Sequence, residues 1–155
     1  MRLVLLDAGP LGLASNPRGN AKAQQCNAWV EALLAGGDSV VIPEIADYEI
    51  RRELIRARKT SSLQYLDELI RICRYAPLNT EILRRAAELW AQARQQGQQT
   101  ADDRELDADM ILAAQAEFLA TPNAEVIVAT LNRRHLSRFV NAQFWYDIQP
   151  APPIV

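Results

Sequence analysis

The sequence predicts an α/β domain in which a central, mainly parallel sheet is covered by helices on both faces. Two observations carry the prediction. Short, continuous apolar runs at residues 3–6, 40–42 and 126–129 have the character of strands buried on both sides. Between them lie longer segments whose apolar residues recur at helical spacing. Strands alternating with helices give parallel pairing through right-handed crossovers. A length of 155 residues suits one such domain with a full core.

The first run, Leu3-Val4-Leu5-Leu6, ends at Asp7 and is cut off by Ala8-Gly9-Pro10. Residues 20–35 read as a helix presenting Ala28, Trp29, Ala32 and Leu33 on one face, stopped by Gly36-Gly37. Val40, Val41 and Ile42 form the second strand, ending at Pro43, and helices follow over residues 44–58 and 61–73. Pro77-Leu78-Asn79-Thr80 interrupts the pattern, with Thr80 the expected N-cap of a helix that ends near Gly97 and carries Ile82, Leu83, Ala86, Leu89, Trp90 and Ala93. A polar loop is expected over residues 98–104. Beyond it a helix runs over residues 107–119, with Ile111, Leu112, Ala114 and Phe118 as its apolar series. The third strand, residues 126–129, precedes a last one near residues 144–148. The domain spans residues 1–149, and residues 150–155 form an irregular, Pro-rich tail.

Composition narrows the functional classes. Seventeen basic against nineteen acidic residues give a net charge of −2, so this is not a protein that coats nucleic acid through overall charge; a local basic groove remains open. Cys26 and Cys73 stand far apart without metal-ligand spacing and read as free thiols of a reducing compartment. The opening apolar run is too short for a signal peptide, and no stretch reaches the roughly 18 apolar residues of a membrane span. The expectation is a cytoplasmic protein.

In parallel sheets ligands bind beyond the carboxyl ends of the strands. Asp7 stands at that position, where a buried carboxylate is costly unless it faces water, a cation or hydrogen-bond donors; an Asp that merely caps a turn is the alternative. No second Asp follows two residues on, as a haloacid-dehalogenase-like phosphatase requires. Gly9 and Gly12 belong to no phosphate-loop pattern. Glu49 falls within the apolar arc of its helix, between Ile45, Ala46 and Ile50. Glu53 shares its face, and the two repel unless a cation or Arg52 and Arg56 neutralise them. Asp109 is expected in the first turn of its helix, held against the protein body by Met110-Ile111-Leu112-Ala113-Ala114. For Asp107 and the acids before it, the helix dipole is sufficient reason. Three acids from separate segments suit Mg²⁺ or Mn²⁺. The single histidine, His135, reads as a surface or packing residue in a polar turn.

These pieces resemble the PIN-domain family, in particular VapC-like toxins. The similar segments occur in family order: Leu5-Leu6-Asp7; Val41-Ile42-Pro43 followed by Tyr48-Glu49-Ile50; Asp109-Met110-Ile111-Leu112-Ala113-Ala114-Gln115-Ala116; and Val128-Ala129-Thr130-Leu131-Asn132 with Arg133-Arg134-His135-Leu136. The resemblance spans essentially the whole chain. It implies a three-layer α/β/α PIN-like domain and an endoribonuclease that hydrolyses RNA with Mg²⁺ or Mn²⁺ held by Asp7, Glu49 and Asp109. Type II toxin–antitoxin pairing, a small antitoxin partner and a homodimer are implied with it. Two departures stand out: Ala8 replaces the hydroxyl residue many relatives carry after the first Asp, and Asn132 stands where some have a fourth acid.

On this reading Asp7 and Asp109 hold the main cation, and Glu49 binds it through water or helps hold a second. Asp107 partly substitutes for the missing acid, while Thr130 and Asn132 orient substrate or water. Arg51, Arg52, Arg133 and Arg134 are the candidates to guide RNA; as ordinary solvated surface they would have no such role. The rival reading is a catalytically weak PIN-like protein that binds RNA or a partner, which Asn132 favours. A metal-dependent phosphatase on a similar sheet is a third.

Overall fold

The apolar runs pair as expected. In the computed structural model, which describes residues 1–97 and 102–155, the elements are β1 (Arg2–Leu6), α1 (Ala8–Ala14), α2 (Ala21–Ala35), β2 (Ser39–Pro43), α3 (Glu44–Arg56), α4 (Thr60–Ile72), β3 (Arg74–Ala76), α5 (Thr80–Gln95), α6 (Asp103–Leu119), β4 (Glu125–Thr130) and β5 (Ala142–Phe144). The five strands form one sheet in the order β3-β2-β1-β4-β5, parallel throughout. Chain order runs outward from β1 in one direction, then returns to run outward in the other. The order therefore reverses at β1 and β4, where such sheets open a crevice at their carboxyl edge.

Alternation along the strands sorts the core into two layers. Leu3, Leu5, Val41, Val128 and Ala142 pack beneath α5 and α6 with Leu89, Leu106, Met110 and Leu112. Val4, Leu6, Val40, Ile42, Ile127 and Ala129 pack beneath α1, α2 and α4 with Leu11, Trp29, Leu33 and Leu66. The helix α3 gives Ile45 to the first layer and Ala46 to the second. The result is a three-layer α/β/α domain.

Several local expectations need correction. A seven-residue helix, α1, which the sequence reading does not include, follows Asp7 at once, despite Gly9, Pro10 and Gly12. Pro10 falls in the first turn, where a missing N–H costs nothing, and burial of Leu11 and Ala14 outweighs weak intrinsic propensity. The buried face of α2 is Ala23, Cys26, Trp29, Val30 and Leu33; Ala28 is exposed. Asn79, not Thr80, caps α5 by accepting from the Ile82 amide at 2.8 Å. The helix α6 begins at Asp103, capped by Asp102, with Asp103 and Glu105 in its first turn where the dipole favours acids. Of the loop expected over residues 98–104, residues 98–101 lie outside the described residues. Phe118 is exposed. The last strand is shorter and earlier than expected, and Trp145–Asp147 form a 3-10 turn.

The tail has no regular structure but is tied down. The Ile154 amide donates to the Ala35 carbonyl at 2.9 Å, and Arg2 joins the Asp38 carboxylate to the Gln149 carbonyl. Among the described residues no helix is long and apolar enough to cross a membrane.

Candidate active site

The crevice between β1 and β4 is built by Asp7 and Thr130. The Asp7 amide continues the β1–β4 ladder by donating to the Ala129 carbonyl at 2.9 Å. Its side chain then caps α1, with Oδ1 accepting from the Ala8 amide at 2.7 Å. The other oxygen, Oδ2, accepts from the Thr130 hydroxyl at 2.7 Å. Thr130 is fully buried and itself accepts from the Asn132 amide at 3.0 Å. The cap reading of Asp7 and the site reading thus coincide: one oxygen ends the strand, the other is locked into the crevice. Gly9 leaves room for the exposed Leu131 side chain, which would lie 2.6 Å from a Cβ there.

Glu49 stands in the second turn of α3 and Asp109 in the second turn of α6, each within reach of the Asp7 charge. The acids act on one another. Burial pushes the Glu49 carboxyl up to about 7, the charges of Asp7 and Asp109 adding to the shift and Arg52 opposing it. Burial also raises Asp109 to about 6; the hydrogen bond from His135 opposes the shift, and the charges of Asp7 and Glu105 reinforce it. Asp7 is raised too, by burial, against the stabilising bonds from Thr130 and Ala8. Sharing a water-poor crevice is the common cause. Among the described residues, Glu49 meets no hydrogen-bond donor.

His135 corrects the expectation of an incidental histidine. It is buried, with 8% of its surface exposed, and its Nδ1 lies 3.0 Å from Asp109 Oδ2. When Asp109 is ionised it can only accept, and the contact then requires the hydrogen on Nδ1. Sequence reasoning also passed over Gln115. Buried in α6, it donates to the Ala76 carbonyl at 2.7 Å and lies against the Ile45 amide that opens α3, tying together the helices that carry Asp109 and Glu49. Only its place in the segment 109–116 could have signalled it.

The remaining candidates divide. Asp107 stands apart: two residues from Asp109 turns the helix by about 200°, and Asp107 is exposed beside Leu83, Trp90 and Met110. The Asn132 side chain accepts from the Arg134 amide at 3.1 Å, forming a turn. Arg51 is held by Asp47 at 2.9 Å and Asp67 at 2.8 Å. Arg52 lies over the Tyr48 ring, Arg133 over the Phe144 ring, and Arg134 is exposed.

The donor chemistry fits a hard divalent cation. Asp7, Glu49 and Asp109 are near enough for the charge of Asp7 to be felt by the other two, and the one imidazole is engaged with Asp109. Among the described residues no three Asp, Glu, His or Cys side chains form a ready-made metal cluster. A hard divalent ion of the Mg²⁺ type needs only one or two protein carboxylates and keeps its remaining waters.

No family model matches the sequence, and no curated protein matches it. Solved structures do match in fold. A chain of FitAcB from Neisseria gonorrhoeae superposes with a TM-score of 0.67 at 19% identity, covering 94% of this chain and 99% of that one. A chain of the DNA-bound VapBC from Salmonella typhimurium gives 0.66 at 15%, again over 94% and 99%. A chain of VapBC2 from Rickettsia felis, bound to a DNA fragment from its promoter, gives 0.64 at 16% over 92% and 98%. At these identities the likeness shows the fold, and the fold is PIN-like.

Proposed function

We propose that this chain is a cytoplasmic, divalent-metal-dependent endoribonuclease and the toxin component of a type II toxin–antitoxin pair. One observation carries the reading. Three carboxylates from three separate elements lie near the switch point of a parallel sheet, where burial raises the pKa of each and the charge of Asp7 raises those of Glu49 and Asp109 further. Such a cluster lowers stability unless a cation compensates it, and perturbed groups of this kind concentrate at functional sites. The toxin–antitoxin setting is supported by fold likeness to VapBC and FitAcB structures.

Asp7 and Asp109 would hold Mg²⁺ or Mn²⁺, with Glu49 reaching the ion through water or helping to hold a second. When bound, the cation neutralises phosphate charge and activates water for hydrolysis of the phosphodiester. Thr130 fixes the rotamer of Asp7, His135 that of Asp109, and the turn at Asn132 shapes the rim. Arg52, Arg133 and Arg134 draw the RNA strand to an otherwise repulsive crevice. A small antitoxin chain and a second copy of this chain are the proposed protein partners; exposed Ile72 and Leu83, on α4 and α5, offer apolar surface for the latter.

Incubation of generic RNA with the purified protein tests the reading. Cleavage is expected with Mg²⁺ or Mn²⁺ and is lost with EDTA or in Asp7→Asn. Cleavage that survives either change overturns it. The alternative of a catalytically weak RNA- or partner-binding protein is favoured by Asn132, whose amide oxygen is occupied within its own turn. RNA binding without cleavage in any divalent ion would select that alternative.

A further inference from the structure

An aromatic pair beside the crevice has no role in folding that explains its exposure. Phe144, at the end of β5, and Tyr146, in the 3-10 turn beyond it, stack with ring centroids 5.4 Å apart and planes 4° from parallel. Trp145, between them, points the other way into the core against Trp29 at 5.5 Å. Its indole edge meets the Tyr146 ring at 5.7 Å and 80°, which holds that ring in place. The turn is anchored in its own right, because Trp29 Nε1 donates to the Ile148 carbonyl at 2.8 Å. Yet Tyr146 is 51% exposed. Order without burial gives a rigid, planar, solvent-facing surface.

Register ties this surface to the acids. Leu5 pairs with Val128 and Val128 with Ala142, one row across the sheet on one core face. Two residues further along each strand come Asp7, Thr130 and Phe144, with Thr130 again opposite Phe144. Thr130 donates to Asp7 at 2.7 Å, so the aromatic stack begins one strand from Thr130 and two from the strand that leads to Asp7, on the same edge. Arg133 joins it, its guanidinium 5.6 Å from the Phe144 centroid. Aromatic faces flanked by a cation, in line with a phosphodiester-cleaving crevice, match the chemistry of unpaired nucleotides: a base for the ring and a phosphate for the arginine. A protein partner would need neither a cation nor this alignment with Asp7.

The geometry points to the exposed ring of Tyr146, backed by Phe144, as a base-stacking subsite for an unpaired nucleotide near the cleaved bond, with Arg133, seated on Phe144, on the adjoining phosphate. The inference rests on the ribonuclease reading; a base within a duplex has both faces covered by its neighbours, so only an unpaired base can stack on Tyr146. Tyr146 is the member to substitute, because its ring is exposed while Phe144 is half-buried.

Binding is measured by fluorescence anisotropy in an Asp7→Asn background with a labelled unpaired oligoribonucleotide, the same strand in a duplex, and a fully abasic strand. Tyr146→Ala should weaken binding of the unpaired strand about tenfold and leave the duplex and abasic strands unaffected, while Tyr146→Phe restores affinity. Equal affinity of Tyr146→Ala and its parent for the unpaired strand overturns the subsite. So does an equal loss for the abasic strand, which would report a charge or folding effect, or a loss of self-association in light scattering with RNA binding intact, which would make the surface a protein contact. Wild-type protein that cleaves RNA while Tyr146→Ala binds normally removes only the subsite. A chain that neither binds nor cleaves RNA removes the ribonuclease reading with it.

Discussion

His135 Nδ1 lies 3.0 Å from Asp109 Oδ2, so the chain's only histidine is spent on orienting one carboxylate of the crevice. The contact is well sheltered: 10% of the imidazole and 24% of the Asp109 side chain are exposed. It is the kind of outer hydrogen bond that fixes a ligand's rotamer and leaves its second oxygen free to face a cation.

Replacing His135 by Ala should therefore weaken Mn²⁺ binding by about 10- to 100-fold, with Gln, whose amide can still donate, recovering part of the loss. Electron paramagnetic resonance of free Mn²⁺ reads the affinity, and a melting curve confirms the fold. Unchanged affinity in His135→Ala would reduce the histidine to packing.

The raised carboxyls make a prediction about pH. In the folded chain Glu49 holds its proton up to about 7 and Asp109 up to about 6, above ordinary carboxyl values, so between pH 4 and 7 the folded state binds more protons than the unfolded one. Stability from these groups is complete below the unfolded values and is lost as pH rises through the folded ones. In metal-free protein Glu49→Gln should be neutral near pH 4 and increasingly stabilising as pH rises through about 7, by less than the full shift implies because solvent screens a half-buried carboxylate. Saturating Mg²⁺ or Mn²⁺ should raise the wild-type melting temperature at pH 8 and shrink that advantage. Denaturation at both pH values, with EDTA and with metal, checks it.

Thr130→Val removes the hydroxyl that joins Asp7 to the Asn132 amide. Leaving those partners unsatisfied in a buried place should cost about 1–3 kcal/mol and lower cleavage further by freeing the Asp7 rotamer. Thr130→Ser keeps the hydroxyl and should retain most activity. Urea unfolding beside a cleavage assay separates the stability loss from the positional one.

How much of this was legible beforehand depends on the range of the contacts involved. The buried strands were plain because continuous apolar runs at Leu3-Val4-Leu5-Leu6 and Val126-Ile127-Val128-Ala129 need no partner to be recognised. So was the place of Asp7, which follows from where the first run stops. The helix α1 was hidden, because its two glycines and proline oppose helix until Leu11 is buried against the rest of the fold. The strand β3 is three residues long, too short to show a period. The acids over residues 102–107 suit a loop or a helix start equally, so α6 begins four residues earlier than expected and Asp109 sits one turn deeper. His135 and Gln115 act across the fold, on Asp109 and Ala76, and nothing local in their segments announces a partner.

The arginines carry the last prediction. Sequence alone marks Arg51, Arg52, Arg133 and Arg134 as equivalent basic residues flanking the motifs, but their surroundings separate them. Arg51 is gripped by Asp47 and Asp67, so its charge is already balanced and little attraction is left for a phosphate. Arg51→Ala should cost stability, since it leaves two neighbouring carboxylates without their cation, yet hardly change RNA affinity. Arg52 faces Glu49 closely enough to lower its pKa, while Arg133 and Arg134 project from the turn after β4 beside Thr130. Each phosphate contact releases condensed counterions, and a single strand loses about 0.7 from the slope of log affinity against log salt per contact removed. Arg133→Ala with Arg134→Ala should thus weaken RNA binding and flatten its salt dependence by about 1.4 if both residues touch phosphate. Metal affinity should stay unchanged, because neither arginine contacts Asp7 or Asp109 through any hydrogen bond or ion pair among the described residues. RNA affinity at two salt concentrations, with Arg51→Ala as the control, reads the difference. A slope unchanged by the double substitution, or flattened equally by Arg51→Ala, would show that the turn after β4 is not on the RNA path.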